Sequence, residues 1–177
     1  MGDKKKCKKC DSFPCGCPLQ IEHSININAT GILRDEIVQL FSYTQTMDSM
    51  SVLTPVEHTL LSLDVTTTAL GQRVKLDSMA VIQYITNTGG TSYALDGDYF
   101  LYRNDILIAF LPINIDESKP ENIMIRETLY PNLTWVDVPP TTGTHRYEIR
   151  VRIESGNIEF LDALTRSLNA MVFRQAL

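Results

Sequence analysis

The sequence predicts an all-β chain: a jelly-roll β-sandwich preceded by an irregular N-terminal tail. Three observations lead there. Apolar and polar residues alternate with period two over most of the length, the pattern of a half-buried strand. Turn-forming residues interrupt that alternation at short spacing, with no long helical period between them. All four cysteines are confined to a short opening segment without any alternation. At 177 residues, 44% hydrophobic and 21% charged, the chain suits one globular domain with a sizeable core.

The tail, residues 1–18, contains Gly2, Pro14, Gly16 and Pro18 among its lysines and cysteines, and the domain is expected to occupy 19–177. Leu19, Ile21, Ile25 and Ile27 share one parity and predict a first strand, with His23 on its apolar side. Residues 32–42 fit either a strand or a short helix, and 45–54 read as a connection. Val56–Val65 predicts a strand on Leu61, Leu63 and Val65, and Arg73–Thr86 a longer one on Val74, Leu76, Ala80, Ile82 and Tyr84. Asn87-Thr88-Gly89-Gly90 and Leu95-Asp96-Gly97 carry turn chemistry. Tyr99–Arg103 and Ile106–Ile113 predict a hairpin about Asn104-Asp105. Asn122–Tyr130, Leu133–Val138, His145–Ile153 and a stretch closing on Met171-Val172-Phe173 complete the set. Eight or nine short strands of this kind argue for a sandwich or jelly roll.

The net charge of −5 is uneven. Residues 1–11 hold five lysines against Asp3 and Asp11, a net +3, so the remainder carries −8. An acidic body repels phosphate backbones, which argues against nucleic acid as a partner. No run approaches the ~20 apolar residues of a membrane helix, and no apolar stretch follows the basic start as in a secretory signal. The expectation is a protein made in a cytoplasm, with neither membrane nor nucleic acid as partner.

Cys7, Cys10, Cys15 and Cys17 are the strongest chemical signal. Bridges among them would close loops of a few residues and never reach the domain, so little stability would follow. They therefore look outward, to another chain or to a metal. An extended 18-residue tail spans up to about 60 Å, enough to reach a neighbouring subunit and dock or cross-link there. Four thiolates also suit tetrahedral zinc, although structural zinc sites usually present two separated knuckles.

No catalytic constellation stands out: G-x-S-x-G, H-E-x-x-H and a phosphate-binding glycine loop are absent. No cofactor and no enzymatic activity are expected. His23, His58 and His145 lie far apart in sequence, and only a sheet could bring two together. Asp96-Gly97-Asp98 could ligate calcium, but reads better as a turn with solvated carboxylates. Trp135, Tyr99, Tyr102 and Tyr147 fall in strand-like runs, where aromatics serve a core or an interface.

Three stretches carry a family resemblance: Leu60-Leu61-Ser62-Leu63-Asp64-Val65 with Arg73-Val74-Lys75-Leu76-Asp77, Thr144-His145-Arg146-Tyr147-Glu148-Ile149-Arg150-Val151, and Arg166-Ser167-Leu168-Asn169-Ala170-Met171-Val172-Phe173. Over about 52–177 the chain resembles the jelly-roll domains of Bacillus-type spore surfaces. These occur in exosporium and fibre proteins, have a tumour-necrosis-factor-like or C1q-like sandwich, and are usually trimeric. The cysteine-bearing tail is similar to the N-terminal connector of endospore appendage subunits, although the cysteine spacing differs and no collagen-like Gly-x-y region is present. The resemblance implies a self-assembling structural subunit on the spore surface, made in the mother-cell cytoplasm. It would form homotrimeric rings stacked head to tail, with the tail entering the next ring and other coat or exosporium proteins as further partners. The other reading is a trimeric adaptor, anchor or binding module that does not polymerise alone.

Overall fold

The computed structural model describes residues 40–52 and 54–173; the tail with its cysteines, the strand expected at 19–27, His23 and residues 32–39 lie outside this range. Ten strands form the described part: β1 Leu40–Thr46, β2 Met50–Ser51, β3 His58–Thr67, β4 Arg73–Thr86, β5 Ser92–Arg103, β6 Ile106–Ser118, β7 Arg126–Leu129, β8 Asn132–Asp137, β9 Gly143–Gly156 and β10 Ile158–Phe173. The ambiguous 32–42 stretch thus ends in a strand that runs on through Thr46, into the segment expected as a connection.

The strands lie in two antiparallel sheets. One is six-stranded, in the order β1-β10-β4-β7, with β2 also on β10 and β8 also on β4. The other is four-stranded, in the order β3-β9-β5-β6. The chain crosses repeatedly from one sheet to the other, and the last strand lies beside the first. β7 and β8 act as one interrupted strand along β4. Pro131, which has no N–H to give a ladder, sits at the break, while its carbonyl still accepts from Ala80 N at 3.0 Å. β1 and β2 likewise follow one another along β10, and with each of these two pairs counted as one, eight strands, four to a sheet, make the two interleaved Greek keys of a jelly roll. The strand order itself establishes the fold the sequence predicts.

The core lies between the sheets and is built by period-two side chains. Val74, Leu76, Ala80, Ile82 and Tyr84, the parity singled out in β4, are all buried, opposite Tyr93, Leu95, Tyr99 and Leu101 of β5 and Tyr147, Ile149, Val151 and Ile153 of β9. Tyr99 and Tyr147 are therefore core residues. The predicted hairpin is present: Arg103 pairs with Ile106, and Asn104 (φ 48°) and Asp105 (φ 63°) form its two-residue turn in the left-handed region that such turns require.

One expectation is corrected. Leu95-Asp96-Gly97 is not a turn, and Asp96-Gly97-Asp98 is not a loop; all lie inside β5, paired with β6 on one side and β9 on the other. Glycine serves close approach here rather than reversal. A Cβ on Gly97 would stand 2.1 Å from the Arg152 carbonyl oxygen and 2.8 Å from Ile153 Cα.

Candidate association surfaces

The long strands β4, β9 and β10 bury one parity, so the other parity gives each sheet an outer face. The two outer faces differ in chemistry. In the four-stranded sheet, the central strand β9 carries a charge at each outward position from Arg146 through Glu148, Arg150 and Arg152 to Glu154. β5 adds Asp96, Asp98, Phe100 and Tyr102 on the same side, and β6 adds Leu107 and Phe110, the latter 58% exposed. In the six-stranded sheet, β4 has Lys75 and Asp77 outward, paired with each other at 2.9 Å, and then Met79, Val81, Gln83 and Ile85. Its neighbours set Phe41, Tyr43, Met171, Phe160 and Val136 on that same side, with the Phe41 and Tyr43 rings stacked at 5.8 Å. Met79 is 38% exposed, Val136 52% and Phe160 56%. This face mixes methionine and aromatic side chains with charges at Arg73, Lys75, Asp77, Arg126 and Asp162, and its uncharged stretch on β4 is Met79, Val81, Gln83 and Ile85.

Several charges of the four-stranded sheet's outer face pair within it. The Arg150 guanidinium sits 4.3 Å from the centre of the Tyr102 ring. It donates to Glu148 (Nε to Oε2, 3.0 Å), to Glu57 at 3.3 Å and to Asp105 in the hairpin turn. The hydrogen bond to Glu148 is the main cause that raises its pKa; burial opposes this, and the bonds to Asp105 and Glu57 add to it. Tyr102 donates to Glu57 at 3.2 Å, and its own pKa is raised by burial and then by that carboxylate. Arg152 lies over the Phe100 ring at 5.8 Å and near Asp98 at 3.9 Å. Arg150 thus staples the hairpin tip and the segment before β3 onto β9. Arg150→Met should lower stability by about 1–2 kcal/mol and Arg150→Lys should not restore it, because an ammonium cannot reproduce the planar fork and the stacked cation. Urea unfolding of the three proteins checks this, and three equal midpoints would contradict it.

Three polar constellations lie inside. Asp137, at the end of β8, accepts from Arg103 Nη1 at 2.7 and 2.8 Å and from the Tyr147 hydroxyl at 2.7 Å. Burial, and then the bond to Asp137, raises the Tyr147 pKa. Since β8 belongs to one sheet and Arg103 and Tyr147 to the other, this cluster clamps the sandwich at one end. Arg166 faces inward from β10 and gives Nη1 to the carbonyls of Asp48, Ala163 and Leu164 at 2.9, 2.6 and 2.8 Å. Burial lowers its pKa, with partial relief from Asp48. His145 is buried, its Nε2 donating to the Thr141 carbonyl at 3.0 Å and lying 3.2 Å from Thr67 Oγ1. His58 stands opposite Val151 and His145 opposite Val65, so the β3–β9 pairing holds these two histidines at opposite ends.

Cys7, Cys10, Cys15 and Cys17, with the cross-link or docking expected of them and its zinc alternative, lie outside the described residues. Among the described residues, no group of three or more His, Cys, Asp or Glu side chains could hold a metal ion. Trp135 is partly exposed at the edge of the six-stranded sheet, in register with Leu76. The outer faces were not singled out from sequence; their signal was the uncharged outward run Met79–Ile85 set against the charged run Arg146–Glu154.

No protein-family model matches the chain, and no curated protein matches it. Among solved structures, the chain is similar to one described as infectious bursal disease virus, Gx strain, with 14% identity and a TM-score of 0.40 over 84% of this chain and 37% of that one. It is also similar to the VP2 subviral particle of infectious bursal disease virus, with 16% identity and a TM-score of 0.41 over 83% of this chain and 37% of that one. The chain spans well under half the length of these structures. The jelly-roll assignment stands on the strand order given above.

Proposed function

We propose that this chain is a self-assembling structural subunit, and that its place is a fibre or appendage on a spore surface. The observation that carries the first part is the uncharged outward run of β4, Met79, Val81, Gln83 and Ile85, on the outer face of the six-stranded sheet. The apolar outward side chains Met79, Val81 and Ile85 on a central strand are favourable to cover with another copy, at roughly 25 cal/mol per Å² of apolar area removed. A ring of jelly rolls, trimeric by the resemblance to spore-surface domains, would cover that face.

The second part is supported by the tail. A lysine- and cysteine-rich segment of 18 residues is long enough to enter the next ring, where its thiols can join or dock. Such a head-to-tail contact does not close on itself, so it generates a filament. Negative-stain electron microscopy of the full chain without reductant should show regular fibres, and deletion of residues 1–17 should leave rings that do not stack. Fibres from the shortened chain would overturn the connector role. Rings alone from the full chain would point instead to an adaptor or anchor that needs a partner.

A further inference from the structure

The charges of the described domain are segregated along its length. Strand register defines its two poles. At one, Leu40 pairs with Val172, Val172 with Val74, and Val74 with Asp137. At the other, Thr86 pairs with Ile158, and Ser92 with Ser118. The ion pairs of Lys75, Arg103, Arg146 and Arg150 lie between the middle of the sheets and the first pole. Toward the second pole Asp116, Glu117, Glu121 and Glu127 are exposed, and among the described residues none of the four is in an ion pair. Lys119 is 5% exposed and turns inward, giving Nζ to the carbonyls of Thr88 at 3.3 Å and Ile123 at 3.0 Å. Arg126 pairs with Ile85 on the outer parity, whereas Glu127 shares the inner parity with Tyr84.

Two tyrosines hold these carboxylates in place. Tyr93 donates to Glu117 at 2.7 Å and Tyr84 to Glu127 at 3.3 Å, and the two rings lie 5.9 Å apart between the sheets. Glu117 on β6 and Glu127 on β7 thus meet at one pole from opposite sheets, and the loop joining their strands exposes Ile123 and Met124 by 50% and 55%. Residues 40–173 hold sixteen Asp and Glu against nine Lys and Arg, so the acidic body of a second copy is repelled from this pole. The chain's surplus of cations is Lys4, Lys5, Lys6, Lys8 and Lys9. That segment leads to the domain at Leu40, at the pole opposite the four carboxylates. Leu40 is 31 positions beyond Lys9, up to about 100 Å of extended chain, and the 14 residues of β4 span roughly 45 Å between the poles.

We propose that the lysines at 4–9 of one copy dock on the pole formed by Asp116, Glu117, Glu121 and Glu127 of the next. This rests on the connector role proposed above and names the surface that receives it. Opposite charge at opposite poles makes the contact head to tail, and Ile123 and Met124 give the lysine stems an apolar surface to lie on.

The test uses the full chain carrying Cys7→Ser, Cys10→Ser, Cys15→Ser and Cys17→Ser, so that thiols do not hold the tail. Copies labelled with nitrogen-15 are mixed with unlabelled copies and treated with a carbodiimide, which joins an amine to an adjacent carboxylate without a spacer. Peptide mass spectrometry should find amides from the lysines at 4–9 to the four carboxylates, with one heavy and one light partner. In the wild-type chain, Asp116→Asn, Glu117→Gln, Glu121→Gln and Glu127→Gln together keep the shapes and the acceptors for the tyrosines. They should leave the melting temperature unchanged and raise the concentration needed for fibres by about tenfold, the effect of losing several exposed pairs. Salt at about 1 M, where screening acts over ~3 Å, should do the same to the wild type and little to the neutral form.

Fibres without such amides, or an unchanged threshold in the neutral form, would overturn this dock while leaving the connector role. Amides confined to one label would show each tail folded onto its own domain, which overturns docking between copies. Neither amides nor fibres would remove the dock and the connector role together.

Discussion

Asp137→Ala is expected to destabilise the domain by about 3–5 kcal/mol, the range found when one member of a buried ion pair is removed. The aspartate holds three hydrogen bonds, two from Arg103 and one from Tyr147. Its removal leaves a guanidinium and a phenol without their shared acceptor in a place where water has little access. The lesion also acts between sheets, since Asp137 is on β8 and its partners are on β5 and β9. For a domain of this size the melting temperature should fall by roughly 10 °C. Calorimetry at fixed protein concentration tests this, because association would itself raise the apparent stability. Asp137→Asn keeps the shape but not the charge and should fall between the two. A wild-type melting temperature for the alanine form would show that the clamp is not a stabilising element.

The second large effect is on assembly. Met79→Asp places a carboxylate in the uncharged stretch of the six-stranded sheet's outer face, with Ser167 opposite on β10 and Asn132 opposite on β8. An unpaired charge covered by another subunit costs several kcal/mol, and each 1.4 kcal/mol is about tenfold in the association constant. Met79→Asp should therefore remain folded yet behave as a monomer, at concentrations where the wild type associates. Glu154→Lys, on the outer face of the other sheet, is the control and should keep the wild-type mass. Size-exclusion chromatography with light scattering reads both. Association by Met79→Asp but not by Glu154→Lys would place the interface on the charged face.

Much of the architecture was legible because a strand with one wet face writes its burial into period two. The parity of Val74, Leu76, Ala80, Ile82 and Tyr84 was readable in advance, and so was the hairpin at Asn104-Asp105. Gly97 misled because flanking aspartates give a strand glycine the appearance of a turn, and the need for it comes from β9, more than fifty residues away. The apolar outward run of β4 was present in the sequence but not interpretable there. In β4, Met79, Val81 and Ile85 alternate with Ala80, Ile82 and Tyr84, and apolar residues on both parities read equally well as a strand covered on both sides. Only the two-sheet arrangement shows that one parity faces out. The Asp137 clamp was invisible for a related reason, as its three members come from strands that meet only in the folded sandwich.

The central claim is that the outer face of the six-stranded sheet joins copies of this chain without help from the cysteines. The most direct test is the solution mass of the full chain in excess reductant, by light scattering across a concentration series. A mass of several subunits that falls to one on dilution, and is already one for Met79→Asp, is the predicted result. A single-subunit mass for the wild type at every concentration would contradict it.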